Sequence, residues 1–199
     1  ASEIITSLMN GESVQSGDVT TAEGGAYLGI YGVDVNEQTA AQYNMPTGVY
    51  VSQVVTGSGA ADSGVKKGNV ITGIDGTTIS SMEDIQAILN MRDAWRFLLK
   101  TIEEPVTLNY FFKLNEYIAR NEVLEWGTLR TGRVGISGTE YLPPVPDAEQ
   151  VAQELNAILH ASGKTATETA LDLFTWGTRG QFFWDGNKRT SLTLANKIL

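Results

Sequence analysis

The chain of 199 residues has no cysteine and a single histidine, His160. The first absence excludes a disulfide framework, a thiolate metal site and a cysteine nucleophile. The second excludes a multi-histidine metal centre and leaves one candidate for imidazole chemistry. Basic residues are also scarce: 14 Lys and Arg stand against 23 Asp and Glu, for a formal net charge of −9. That balance argues against nonspecific nucleic-acid binding, which depends on neutralising phosphates. No apolar run approaches the ~20 residues of a membrane-spanning helix. Ala1 to Asn10 offer neither a basic start nor a small-residue cleavage site, so no signal peptide is expected. What is left is a soluble, globular chain long enough to bury a core.

The shortages are uneven. Up to Asn90 the chain has no Trp or Phe and only two bases, Lys66 and Lys67, against ten acids, while thirteen of the 21 Gly lie there. Beyond Asn90 come all four Trp, all six Phe and twelve of the 14 bases. A compositional break of this kind marks a domain boundary. Two modules are expected, residues 1–90 and 91–199. No Pro- or Ser-rich linker separates them, and the junction reads as helix.

In the first module, Ser2 to Met9 has the spacing of a short amphipathic helix, and the polar stretch to Ala26 reads as a linker-like start. Strand signals follow at Leu28–Val33, Val49–Val55 and Val70–Ile74, separated by turn residues. Ser58–Ser63 reads as a helical turn. Ser80 or Ser81 would cap a helix carrying Met82, Ile85, Ile88 and Leu89, with Glu83 and Asp84 in its first turn.

Four ordered segments carry a resemblance: Tyr27-Leu28-Gly29-Ile30, Gly48-Val49-Tyr50-Val51, Ser58 through Ile71, and Ile74-Asp75-Gly76. Together they resemble a PDZ domain, in particular the one that follows the protease in bacterial HtrA-type serine proteases. The resemblance implies a small β-barrel or sandwich with two helices that captures peptide or protein C-termini as an added strand. Backbone N–H groups of Tyr27, Leu28, Gly29 and Ile30 would cradle the terminal carboxylate, glycine letting the chain approach the anion. Tyr31 and Gly32 would continue the pairing edge, and Met82, Ile85 and Leu89 would form the other wall. Two departures stand out. The last PDZ strand is missing after this helix, and no catalytic Ser, His and Asp set precedes the module, so no protease activity is expected.

The second module reads as helices over Met91–Thr101, Thr107–Glu122, Val151–Leu159, Ala166–Thr175 and Thr190–Leu199. Between them, Leu129 to Pro144 mixes glycines with β-branched residues and suggests a hairpin ended by two prolines. The densest chemistry lies in Phe183-Trp184-Asp185-Gly186-Asn187-Lys188-Arg189-Thr190, directly before a helix. Helix-start N–H groups, a glycine for close approach and two bases make an anion cradle. Asp185 could hold Mg²⁺, which takes one carboxylate together with phosphate oxygens. A solvated Asp-Gly turn would look the same in isolation.

This string resembles the signature of Fic-family proteins, His-x-Phe-x-Asp/Glu-Gly-Asn-Gly/Lys-Arg, and the hairpin resembles the Fic flap. The resemblance implies a mostly α-helical fold that transfers AMP from ATP to a target hydroxyl with Mg²⁺. By that likeness Asp185 would bind metal, while Gly186, Asn187, Lys188 and Arg189 would hold nucleotide phosphates. Gly138, Thr139 and Tyr141 of the flap would position the target. At the place of the motif histidine stands Gln181, which has no titratable proton and cannot serve as a general base. His160, about twenty residues earlier, is read as a surface or packing residue. No inhibitory Ser/Thr-x-x-x-Glu-Gly/Asn helix is present.

The expected architecture is therefore α+β: a PDZ-like part, then a Fic-like part that ends inside its core at Leu199. Both parts look cut, and HtrA-type PDZ domains work outside the cytoplasm while Fic domains work inside it. An artificial or recombined fusion is one explanation and a natural gene fusion the other; the compartment stays open. Two functions compete. One is a binding protein with a peptide groove and a nucleotide-holding, catalytically impaired Fic-like part. The other is an active adenylyltransferase that recruits targets through its PDZ part. ATP and Mg²⁺ are the cofactors in view, none being needed for peptide binding. Nucleic acid and a membrane span are excluded, and a homo-oligomer is left open.

Overall fold

The computed structural model describes residues 28–136 and 138–199. The expected opening helix, the linker-like start, Tyr27 and Ser137 lie outside the described residues. The architecture is α+β, with small sheets first and a mostly helical second part. The chain divides into two compact units, residues 1–89 and 90–199.

In the first unit, β1 (Ile30–Val35) pairs antiparallel with β2 (Gly48–Val54), which pairs antiparallel with β3 (Val70–Ile71). The register slips between Tyr31 and Gly32, a β-bulge that leaves Ser52 as the extra residue. Ser52 uses the bulge to donate its hydroxyl to the Tyr31 carbonyl at 3.0 Å. The single strand expected over Val70–Ile74 is instead two. The chain breaks step at Thr72, and β4 (Gly73–Ile74) forms a hairpin with β5 (Thr77–Thr78) around Asp75-Gly76.

Between β1 and β2 lies a helix that periodicity does not foretell, α1 (Glu37–Tyr43). Its sequence EQTAAQY has no apolar stripe; it starts because Asn36 Oδ1 accepts the Thr39 N–H at 2.9 Å. The helical turn α2 (Gly59–Asp62) is capped by Ser58 in the same way.

Helix α3 spans Met82–Lys100 without a break. Its start is a reciprocal cap. Ser81 Oγ accepts from the Asp84 N–H at 3.1 Å, and Asp84 Oδ2 accepts from both the Ser80 and Ser81 N–H groups. Among the described residues no closing strand follows Leu89; the chain remains helical to Lys100. The core of this unit is Ile30, Val49, Val51, Ala60, Ile79, Ile85 and Leu89. Each Val, Ile or Leu among them, taken from water, stabilises by about 1.5–3 kcal/mol.

The second unit holds α4 (Leu108–Ala119), α5 (Ala148–Leu159), α6 (Ala166–Gly180) and α7 (Asn187–Ile198). Thr107, Asp147 and Thr165 cap the first three, and Thr165 with Glu168 forms a full capping box. Phe111, Leu114, Ile118, Leu155, Leu173, Phe182, Phe183 and Leu194 close the core.

The flap segment corrects one expectation. Among the described residues from Leu129 to Pro144 there is no paired strand. Arg130 sends its guanidinium to the carbonyls of Gly132, Pro143 and Pro144, which removes acceptors a hairpin ladder would use. The two prolines supply no N–H in return. The result is an irregular loop tied at its base by one buried cation.

Candidate functional site

The first candidate site is the edge of β1 beside the start of α3. Within its sheet β1 pairs only with β2, so among the described residues its outer edge has no strand partner. The preceding turn is held from behind. The Leu28 carbonyl accepts from the Ala60 N–H at 3.0 Å, and the Gly29 carbonyl from the Val55 N–H at 2.9 Å and from Ser58 Oγ. Gly29 itself sits at φ 82. Such a turn fixes the peptide units that lead into β1.

Across from this edge, Asp34 Oδ1 accepts the Met82 N–H at 2.8 Å, tying the strand to the helix start. Met82 also lies on Gly32 so closely that a Cβ there would be 2.3 Å from its sulfur. The expected groove residues thus separate into two groups. Ile30, Ile85 and Leu89 are buried in the core, whereas Leu28 and Met82 pack at its edge and, like Tyr31, are only half-buried.

The second candidate site is the loop from Gln181 to the head of α7. Phe182 and Phe183 are buried and anchor it: Phe182 lies 4.5 Å from Trp176 and Phe183 4.8 Å from Phe111, centroid to centroid. Asn115, fully buried on α4, donates to the Asp185 carbonyl at 3.0 Å and to Thr190 Oγ1 at 3.1 Å. Its Oδ1 accepts the Gly127 N–H, so every polar group of the amide is used.

Gly186 caps α7 in the left-handed region, φ 73, with no side chain closing the helix end. A Cβ at Gly186 would stand 3.0 Å from Ile118, so the loop needs glycine for both conformation and space. The first N–H groups of α7 have no intrahelical acceptor. With Lys188 exposed beside them, that helix head favours an anion.

The individual side chains are less uniform than the motif suggests. Asn187, expected to hold phosphate, commits its amide to the loop: Oδ1 accepts the Phe183 N–H at 2.9 Å and Nδ2 donates to the Phe183 carbonyl at 2.8 Å. Only its backbone faces the helix head. Arg189 is gripped by Glu122, Nη1 to Oε1 at 3.0 Å and Nη2 to Oε2 at 2.5 Å, with Asp185 Oδ2 at 3.4 Å. Hydrogen bonding to Glu122, ahead of the opposing effect of burial, raises the Arg189 pKa above its ordinary range.

Gln181 ends α6 in the left-handed conformation, φ 46 and ψ 54. Its Nε2 donates to the Thr178 carbonyl at 2.7 Å, turning the amide back on its own helix. Its carbonyl accepts from Arg130 Nε, and the Phe182 carbonyl accepts the Arg130 N–H at 2.9 Å. His160 is not brought here. It caps α5, with Nδ1 2.9 Å from the Asn156 carbonyl, beside a cavity lined by Pro105, Leu159 and Lys197 rather than by motif residues.

In the flap, Gly138 and Thr139 are exposed, and Thr139 Oγ1 accepts the Tyr141 N–H at 3.1 Å. The Tyr141 ring lies under the Arg179 guanidinium, 5.7 Å away. Trp184 points outward, its Nε1 donating to Glu125 at 3.1 Å.

A magnesium ion would find one carboxylate, Asp185, whose side chain is about half exposed. Among the described residues no three acidic or imidazole groups converge as a metal cage. One carboxylate suits Mg²⁺ only when phosphate oxygens and water complete its shell. Three residues central to this site, Arg130, Asn115 and Glu122, escape motif reading because each acts on a partner more than fifty residues away.

Comparisons with known proteins fit these two geometries. Residues 18–101 match the PDZ domain family model. The periplasmic serine endoprotease DegP of Escherichia coli K12 is 36% identical over 81 residues, 40% of this chain and 16% of that protein. The periplasmic pH-dependent serine endoprotease DegQ of the same organism is 36% identical over 62 residues, 30% of this chain and 14% of that protein. The chain therefore spans less than a fifth of the length of the curated relatives it matches.

Among solved structures, a Fic family protein from Desulfovibrio desulfuricans G20 aligns with a TM-score of 0.52 at 20% identity, covering 62% of this chain and 39% of that one. Fic-1 from Caenorhabditis elegans aligns at 0.50 and 22%, covering 70% and 40%. At such identities the likeness concerns the fold alone. Among the described residues no helix is long and apolar enough to cross a membrane. Over residues 18–101 the chain thus matches the PDZ domain family, and its mostly helical C-terminal part resembles the fold of Fic family proteins.

Proposed function

We propose that this chain binds and does not transfer. Its PDZ domain takes the free C-terminus of a peptide or protein along β1, and its Fic-fold part holds the phosphates of a nucleotide at the head of α7. The turn at Leu28-Gly29, fixed through its carbonyls, and the unpartnered outer edge of β1 support the first half. The uncapped start of α7 beside Lys188 supports the second. Asp185 would supply the protein carboxylate to a Mg²⁺ ion, which neutralises phosphate charge when bound with the nucleotide.

The observation that carries the absence of turnover is Gln181. An amide donating to the Thr178 carbonyl offers no site that takes a proton from a target hydroxyl. Loss of a positioned general base removes roughly 10²- to 10⁴-fold in rate.

Incubation with labelled ATP, Mg²⁺ and candidate target proteins tests this half. No label above that of Asp185→Ala is expected. Label that disappears in Asp185→Ala would establish the competing reading, an adenylyltransferase with PDZ-based recruitment. For the groove, calorimetry should find peptides with free C-termini binding and their C-terminal amides failing. Equal affinity for the two would remove the carboxylate cradle.

A further inference from the structure

A cavity of about 220 Å³ opens between the loop after Tyr141, the first turns of α5 and the end of α6. Trp176 and Phe182 give it an aromatic wall, and Pro144 and Val145 line it on the loop side. None of residues 185–189 reaches it, so it is separate from the head of α7.

Its charges are unevenly matched. Asp147, Gln150 and Glu154 stand on one face of α5, three and four residues apart. Glu154 is half-buried, and both its oxygens accept from neutral donors: Oε2 from the Trp176 indole at 2.8 Å, Oε1 from Gln150 Nε2 at 2.8 Å. Asp147 Oδ1 accepts the Gln150 N–H at 3.0 Å. Among the described residues neither carboxylate has an ion-pair partner. A carboxylate offers about four acceptor positions, so each has room for a further donor. The one cation at the cavity, Arg179, is exposed and lies over the Tyr141 ring, where salt and water screen it. Two carboxylates, one of them partly withdrawn from water where charge acts more strongly, outweigh it. The cavity asks for a cation.

Its size says what carries that cation. The volume lies below the roughly 300–1,000 Å³ of small-molecule sites and suits one long side chain. Around it Tyr141, Leu142 and Val145 are exposed, an apolar rim that a polypeptide would cover and a free metabolite would leave wet. A charged anchor seated in an aromatic pocket and ringed by apolar surface is how protein interfaces concentrate their affinity. We propose that this cavity receives an arginine side chain of a partner polypeptide, its guanidinium on Glu154 and Asp147 and its stem against Trp176 and Phe182. Arginine fits better than lysine, because a planar fork serves two acceptors at once and packs flat on an aromatic wall.

The test is NMR titration of the full chain with the tripeptide Leu-Arg-Leu, acetylated and amidated so that the C-terminal groove is not engaged. The indole N–H resonance of Trp176, assigned by its loss in Trp176→Phe, reports the cavity. It should move saturably, and Glu154→Gln, which retains an acceptor for the indole, should weaken binding about tenfold, the scale of a charge-assisted hydrogen bond. Norleucine in place of the peptide's arginine should cost at least as much. Equal binding of the norleucine peptide would reduce the site to an apolar patch and overturn the proposal. Stronger binding of a glutamate peptide would make Arg179 the recognising charge and overturn it too. So would the absence of a shift with any peptide, or arginine binding untouched in Glu154→Gln. Thermal melting checks that the variant is folded. If Glu154→Gln loses its cooperative melt, Asp147→Asn, which keeps a capping side chain, takes its place. Weaker arginine binding then supports the site and unchanged binding overturns it.

Discussion

The guanidinium of Arg130 and the carbonyl of Gln181 meet across fifty-one residues of sequence. This contact holds the backbone of Gln181 from the side of the loop that carries Arg130. Arg130 is 1% exposed, the largest fully buried side chain described, and its hydrogen-bond partners are all backbone carbonyls. Burial accordingly lowers its pKa from the ordinary arginine value.

Replacing Arg130 with methionine leaves the carbonyls of Gln181, Gly132 and Pro144 without their donor in a dry interior. A loss of about 3 kcal/mol or more is expected from several buried charge-assisted bonds. Urea melts measure it. Arg130→Lys should restore only part of the loss, because an ammonium cannot span a fork of acceptors. A variant as stable as the parent would show that water replaces the guanidinium.

Little of this could be read in advance. The helices read from Thr107, Val151 and Ala166 onward follow from local apolar spacing, and the structure caps them with Thr107, Asp147 and Thr165. The mixed architecture and the strands around Val49–Val51 follow from local periodicity in the same way. Arg130, Glu122 and Asn115 look like ordinary polar residues in the chain because their partners arrive only through tertiary folding. The flap misled for a related reason. Its glycines and β-branched residues satisfy a hairpin pattern, but its carbonyls go to Arg130. Helix α1 was invisible because a polar cap, rather than an apolar stripe, starts it.

Gly32 tests the packing of the first unit. A Cβ there would lie 2.3 Å from the Met82 sulfur and 2.4 Å from Val49 Cγ1. The methionine end can swing away, but Val49 is wholly buried. Gly32→Ala should cost about 1–3 kcal/mol by overpacking. Adding Met82→Ala should relieve only the part due to sulfur, as a double-mutant cycle would read.

Acid should weaken the start of α3. Hydrogen bonds from the Ser80 hydroxyl and then the Ser80 backbone hold Asp84 below its ordinary value of 3.8. A carboxylate depressed on folding stabilises above its unfolded pKa, and that contribution is lost as pH falls through the folded one. Stability of the parent relative to Asp84→Asn should therefore be largest near neutrality and shrink below about pH 4. A difference independent of pH between 2 and 7 would leave the cap without an ionic component.

Gln181→His restores an imidazole at a position whose left-handed backbone histidine tolerates better than most side chains. If the missing base alone silences the site, label transfer from ATP should rise by about 10²-fold or more over the parent. Unchanged background in a folded variant would mean that other parts of the machinery are absent too.

Because Asn187 closes both ends of its amide on Phe183, a ligand at the head of α7 meets main-chain dipoles and the flexible Lys188. Under the proposed function such a site would respond to charge and bulk and would distinguish poorly between one phosphate ester and another. Discrimination among nucleotides would then fall to other side chains, and the outward indole of Trp184, held by the Glu125 carboxylate, offers one aromatic surface for it.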